Sequence, residues 1–329
     1  TPQEGLSTRG VSSPNEPRWL WLLYLSLVLM RCQPLRRALY GYGGKVAIES
    51  KSKIKFKKNL IKQLPFFPDD KNTLQLLNDQ SLSEVVLHYL HWQTRQVPAR
   101  VRKVHIYAEL TSDKRYRQYK NEIYSLLNIV REGKELTPFL SARAVKKGYT
   151  PSDRVTSGEV DSWADKDQIL NTKGFHHFHL SMDIQKSGFS VRTDVVLFAL
   201  VTRDSFHAVA LFDHSVFNSE KITLEQERMW NLHSRFKSIG MEPGAVYFSN
   251  PIMLSGHPLY LVRLSQQYMR FIHMYDPQLN DRSLVNELYG QGKLQPPNKY
   301  KLEWCFEALD LIIKDTKNEV NFVIFKGSI

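Results

Sequence analysis

Gly174-Phe175-His176-His177-Phe178-His179-Leu180 opens the part of this 329-residue chain whose reading decides the fold. Successive strand residues point to opposite faces, so His177 and His179 share one face and Phe178 takes the other. Downstream, Val191–Thr202 and Phe206–Phe212 are rich enough in β-formers to make two more strands, with Ser187-Gly188 and Arg203-Asp204-Ser205 as turn signals. Strands joined by such short turns predict an antiparallel meander over His176–Met182, Val191–Thr202 and Phe206–Phe212. Thr223-Leu224-Glu225-Gln226 has capping-box spacing and opens a helix to about Ile239, stopped by Gly240. Leu259–Leu264 and Phe271–Tyr275 read as further strands, Glu303–Lys314 as a helix and Val320–Phe325 as a last strand. The sum is an α+β fold, a mostly antiparallel sheet with packed helices.

Upstream the signals are helical and basic. Lys51, Lys53, Lys55, Lys57 and Lys58 interleave with Ser52, Ile54 and Phe56, which reads as a basic edge strand or an unpaired arm. Ser81 and Glu84 have capping-box spacing ahead of a short helix ending near Trp92. Val104–Leu110 is a strand candidate, and Tyr116–Arg131 is an amphipathic helix with Tyr119, Ile123, Leu126, Leu127 and Val130 on one side. Between 137 and 173 the chain is polar, with one short helix near Leu140–Lys147. The predicted organisation is therefore a leader or disordered extension over 1–45, a basic, partly helical region over 46–150 and a histidine-rich α+β domain over 151–329.

Charge sharpens that division. The formal charge is +12, but residues 1–150 hold 26 Lys and Arg against 12 Asp and Glu, while residues 151–329 hold 19 against 21. A basic half joined to a near-neutral, histidine-rich half suggests an electrostatic arm that gathers a polyanion and a second part that acts on it. Lys53, Lys55, Lys57 and Lys58 are candidate phosphate contacts. Arg143, Lys146 and Lys147 beside Tyr149 suit a single-stranded backbone with a stacked base. The two cysteines, Cys32 and Cys305, imply no disulfide framework or thiolate zinc site, so a reducing cytoplasm is expected. Trp19–Met30 is an apolar run of 12 residues, shorter than the roughly 20 a membrane span needs, and Arg31, Pro34, Arg36 and Arg37 follow it where a signal cleavage site would lie. Met30 is one candidate start of the native chain.

Eight of the 11 histidines fall between His176 and His273. The leading constellation is His177, His179, Arg192, Asp194, Asp213 and His214, on or at the ends of three consecutive predicted strands. In metal-free cleavage of a phosphodiester, one imidazole takes the 2′-hydroxyl proton, another protonates the leaving oxygen and Arg192 stabilises the phosphorane. In a metal-dependent alternative, His177 and His179 with Asp213 or His214 supply ligands for a divalent ion of unspecified identity and leave a position for water. Asp213 holding His214 as a fixed pair is the bland alternative. His257 and His273 stand in reserve at predicted strand ends. Asp161, Asp165 and Asp167 around Trp163 lack the glycine and distal glutamate of a calcium loop. No phosphate-binding glycine loop, serine elbow, metalloprotease helix or dinucleotide fingerprint occurs.

The order His179-Leu180, then Arg192 ahead of Val195-Val196-Leu197-Phe198, then Val209-Ala210-Leu211-Phe212-Asp213-His214 resembles the β-meander of RelE/HigB-type toxin ribonucleases. The resemblance spans about residues 175–217. It implies an RNA-cutting sheet with an arginine-bearing strand, and an inhibitory protein partner. The chain departs from it in length and in relying on histidines. The expectation is a nuclease of the hydrolase class acting on RNA without a cofactor; a metal-dependent nuclease and a non-catalytic nucleic-acid-binding protein are the alternatives.

Overall fold

The computed structural model describes residues 49–160, 165–247 and 249–327. The expected leader with its apolar run, and Asp161 and Trp163, lie outside the described residues. Four strands, β1 (Lys103–Ile106), β2 (Phe175–His179), β3 (Val195–Val201) and β4 (Ser205–Asp213), build one sheet in the order β1-β4-β3-β2. β2, β3 and β4 form the predicted antiparallel meander, with His177 opposite Phe198 and His179 opposite Val196. β1 adds a parallel edge along β4, with Val104 opposite Phe206, so the sheet is mixed and joins the two sides of residue 150. From Glu49 onward the chain forms one unit.

Helices cover both faces of this sheet, which explains why β3 reads as continuous Val-Val-Leu-Phe-Ala-Leu-Val instead of alternating. The helices named from here on, in chain order, are α1 (Lys51–Gln63), α2 (Lys71–Asp79), α3 (Leu82–Gln93), α4 (Ala108–Thr111), α5 (Lys120–Arg131), α6 (Ala142–Lys146), α7 (Ser152–Thr156), α8 (Gln168–Lys173), α9 (Leu224–Ser238), α10 (Leu259–Tyr275) and α11 (Arg282–Gln291). On one face Phe178, Leu197 and Phe206 pack with Ile123, Leu126 and Val130 of α5. On the other, Phe175, Val196, Phe198 and Phe212 pack with Met229 and Leu232 of α9. A register shift between Phe198 and Ala199 makes a bulge that leaves Val209 as the extra residue on β4. The predicted capping boxes at Ser81 and Thr223 are both closed. Thr223→Ala should therefore cost about 1 kcal/mol, read as a lowered urea midpoint; an unchanged midpoint would mean that the box adds nothing.

Three expectations are overturned, each by period. Residues 51–63 are not a basic strand or arm but helix α1, started by Ser50, whose Oγ accepts the Lys53 N–H at 3.2 Å. Phe56, Leu60 and Ile61 are its buried stripe, and the lysines alternating with Ser52, Ile54 and Phe56 merely imitate a strand. Residues 259–275 are one helix instead of two strands, because Leu261, Ser265, Tyr268 and Ile272 repeat at four, three and four residues. Glu303–Lys314 is not a helix but the hairpin of β5 (Leu302–Glu307) and β6 (Asp310–Asp315), completed by β7 (Val320–Phe325), the strand predicted there. Leu302 and Trp304, and then Leu311 and Ile313, point inward with period two. The turn escaped notice because Ala308, at φ 51°, takes a position that glycine or asparagine usually marks. These elements share a second core that includes Leu60, Val85, Tyr268 and Trp304. Among the described residues no helix is long and apolar enough to cross a membrane.

Candidate active site

β2 ends in a cleft of about 620 Å³. His177 and His179 line it from the strand, Arg192 from the segment before β3, and His214 from the turn after β4. Four of the six residues of the sequence-derived constellation are thus brought together. His214 begins a single 3₁₀ turn, His214–Phe217, capped by Asp213, whose Oδ1 accepts the Ser215 N–H at 2.9 Å and its hydroxyl at 2.5 Å. That turn folds Phe217 back over the histidines, 4.9 Å from His177 and 6.0 Å from His214 between ring centres.

The imidazoles differ in surroundings. His177 Nδ1 lies 3.7 Å from an oxygen of Asp167, whose other oxygen caps α8 by accepting the Leu170 N–H at 2.9 Å. Asp167 belongs in sequence to an incomplete acidic loop; its position just ahead of the apolar pair Ile169 and Leu170 is the capping signal that places it. Burial pushes the His177 imidazole below its usual range, and the Asp167 charge partly offsets that. His179 has histidines and Arg192 as its charged neighbours. Burial first, and then those groups, push it down to about 4. Both bury Nδ1 without a hydrogen-bond partner, so Nε2 is the nitrogen presented to the cleft. His179 and His214 are 6.1 Å apart between ring centres. His214 Nε2 lies 2.8 Å from the Thr193 carbonyl and 3.3 Å from Arg192 Nε, and its Nδ1 lies 3.2 Å from Arg192 Nη2, so the imidazole edge lies along the guanidinium. The guanidinium is thereby held over the cleft while staying largely solvated.

Two constellation members take other work. Asp194 is exposed and outside the cleft lining, and its charge acts on Tyr119. Asp213 does not orient His214. Its partners are Ser215 and Arg115, the latter at 3.8 Å; burial raises its carboxyl, and the Ser215 bonds together with the Arg115 and Arg228 charges outweigh that and hold it below the usual range.

The expected phosphate contacts are dispersed. On α1, Lys53 faces Asp276 at 3.8 Å, Lys55 pairs with Glu303 at 2.5 Å, Lys57 donates to the Asn78 carbonyl at 2.7 Å and Lys58 is exposed. Arg143 lines the cleft, whereas Lys146 and Lys147 sit over the rings of Phe189 and Phe67. Tyr149 is not available to stack a base: it is 3% exposed, its backbone bonds Phe67 and its ring packs on His88. A tyrosine next to a basic cluster can serve the core as readily as a ligand, and here an isolated bridge to Phe66 pulls it inward.

A second histidine group lies outside the cleft lining. His88 and His91 are one helical turn apart on α3, and their rings lie 5.0 and 4.9 Å from His257. The His-x-x-His spacing on a helix is the sequence signal for this pair. His91 Nε2 meets Asn171 Oδ1 at 3.1 Å, and the ion pair of Lys166 with Asp165 is buried beside the group. Burial drives all three imidazoles down, His257 to about 3, with the Lys166 charge adding to the effect. His273, the other reserve, is exposed on α10. Among the described residues no group of three or more His, Cys, Asp and Glu side chains is placed to hold a metal ion.

Comparison of the chain with protein-family models, with curated proteins and with solved structures gives no match.

Proposed function

We propose that the cleft is the centre of a metal-independent, toxin-like endoribonuclease. The observation that carries this reading is the pair of histidines, neighbours on one strand face, with unlike electrostatic surroundings and with Arg192 beside them. Two titratable groups whose environments diverge are what acid–base chemistry at one bond requires. His179, with no acid among its charged neighbours, is neutral at pH 7 and takes the 2′-hydroxyl proton through Nε2. The 2′-oxygen then attacks phosphorus, and Arg192 stabilises the charge on the phosphorane. His177, whose imidazolium Asp167 favours, gives its proton to the departing 5′-oxygen. The products are a 2′,3′-cyclic phosphate and a free 5′-hydroxyl. His214 is the positioning residue for Arg192. RNA is the substrate because its own hydroxyl is the nucleophile, and an inhibitory protein that covers the cleft is the partner such an activity calls for.

The test is incubation of the protein with end-labelled single-stranded RNA and matched DNA, in chelator and with added divalent metal. Cleavage of RNA alone, in chelator, leaving cyclic phosphate ends, is the expected result. Cleavage only with metal, or of DNA as well, would move the histidines to ligand roles. Salt-sensitive binding without cleavage would leave only a nucleic-acid-binding protein.

A further inference from the structure

We propose that Arg95, assisted by Arg143 and Lys166, forms a second phosphate subsite in the same cleft, one phosphate removed from the bond that is cut. The inference rests on the ribonuclease reading for the word substrate, but the anion site stands on its own observations. Arg95 follows α3, is 2% exposed and yet lines the cleft. Its Nη2 donates to the Lys147 carbonyl at 2.6 Å, while Nε is buried with no partner. The acids whose charge favours it are Asp165 and Asp167, and both are engaged elsewhere. Asp165 pairs with Lys166, and Asp167 caps α8 and faces His177.

A guanidinium so placed is an unfinished ion pair. Taking it out of water is costly unless a bidentate anion completes its hydrogen bonds, and phosphate oxygens match the guanidinium fork. Burial lowers its pKa, but only to about 10, so it remains charged at neutral pH. Arg143, exposed on α6, reaches the same cleft, and Lys166 lines it beside Asp167. His177 and Arg192 line the same cleft, so in this proposal a nucleotide chain crossing it sets one phosphate at the histidines and its neighbour at Arg95. The substrate class that follows is an oligonucleotide with at least two phosphates, not a dinucleoside monophosphate or a small cyclic ester.

Two measurements test it. Calorimetric titration with inorganic pyrophosphate at fixed ionic strength should show binding that weakens about tenfold or more in Arg95→Gln. Arg143→Ala, at an exposed position, should weaken it several-fold and keeps the test decisive if Arg95→Gln does not fold. No binding to the unaltered protein, or binding untouched by Arg143→Ala and any folded Arg95→Gln, overturns the subsite. In cleavage, UpA bearing a terminal phosphate should be cut at least about tenfold faster, as kcat/KM, than UpA itself, and the advantage should shrink in Arg143→Ala. Cleavage of both at one rate overturns the subsite while sparing the ribonuclease. Pyrophosphate binding that depends on these arginines, in a protein that cuts no RNA, does the reverse.

Discussion

His179→Ala is expected to slow cleavage of single-stranded RNA by about 10²- to 10⁴-fold, the usual contribution of one positioned general base. Its side chain is only partly buried, at the end of an edge strand whose core contacts belong to Phe175 and Phe178. The thermal midpoint should therefore move far less than the rate. The pH profile separates catalysis from packing. A base depressed to about 4 stays neutral, and the rate holds, until pH falls toward 4. The acid, His177, lies below the usual imidazole range and loses its proton as pH rises, so kcat/KM should peak on the acid side of 6.5. Removing His179 should abolish the fall at low pH and leave the fall at high pH. A variant that keeps the parental rate, or the parental acidic limb, would sink the assignment. Arg192→Ala should cost about 10²-fold by withdrawing a charge aimed at the phosphorane; it should leave the basic limb in place and move the acidic limb slightly up, because the Arg192 charge helps hold the His179 imidazole down.

Acidification alone should destabilise the fold well before its carboxylates titrate. His88, His91, His176 and His257 are all held below the unfolded value near 6.5, mainly by burial. The sign follows from proton binding. Between pH 6.5 and the folded values, about 4 for His176 and about 3 for His257, the unfolded chain takes up protons that the folded chain refuses. Stability is thus complete above 6.5 and is lost as pH falls through that window. His176 alone, buried with Nε2 on the Thr94 carbonyl at 3.0 Å, represents on the order of 3 kcal/mol over the full range. A domain's whole stability is roughly 5–15 kcal/mol, so the urea midpoint should drop steadily from pH 7 to pH 5, where unfolded Asp and Glu, with pKa near 4, barely contribute. His257→Asn should flatten part of that slope. A midpoint that stays level from 7 to 5 would show that these imidazoles are not held neutral by the fold.

The local statements in the chain were enough for several elements. The His177–His179 face, the β2-β3-β4 meander, both capping boxes and the α5 stripe each follow from neighbours within a few residues, where side-chain alternation or a capping hydroxyl acts directly. They also sufficed to bring His177, His179, Arg192 and His214 into one candidate site, since consecutive strands joined by short turns pair in order. What the chain could not show locally is whatever depends on partners far away in sequence. Whether the lysines of α1 alternate on a strand or ring a helix was decided by the core that receives Phe56 and Leu60. Tyr149 went inward because Phe66 and His88 meet it there, and Asp213 left His214 for Ser215 and Arg115. The joining of Asp167 to His177, of His257 to His88 and His91, and of Arg95 to the cleft crosses between 10 and more than 160 residues of chain. Periodicity reports which face of an element is apolar; only packing decides what that face meets, and here that decides which imidazole has an acid behind it and which does not.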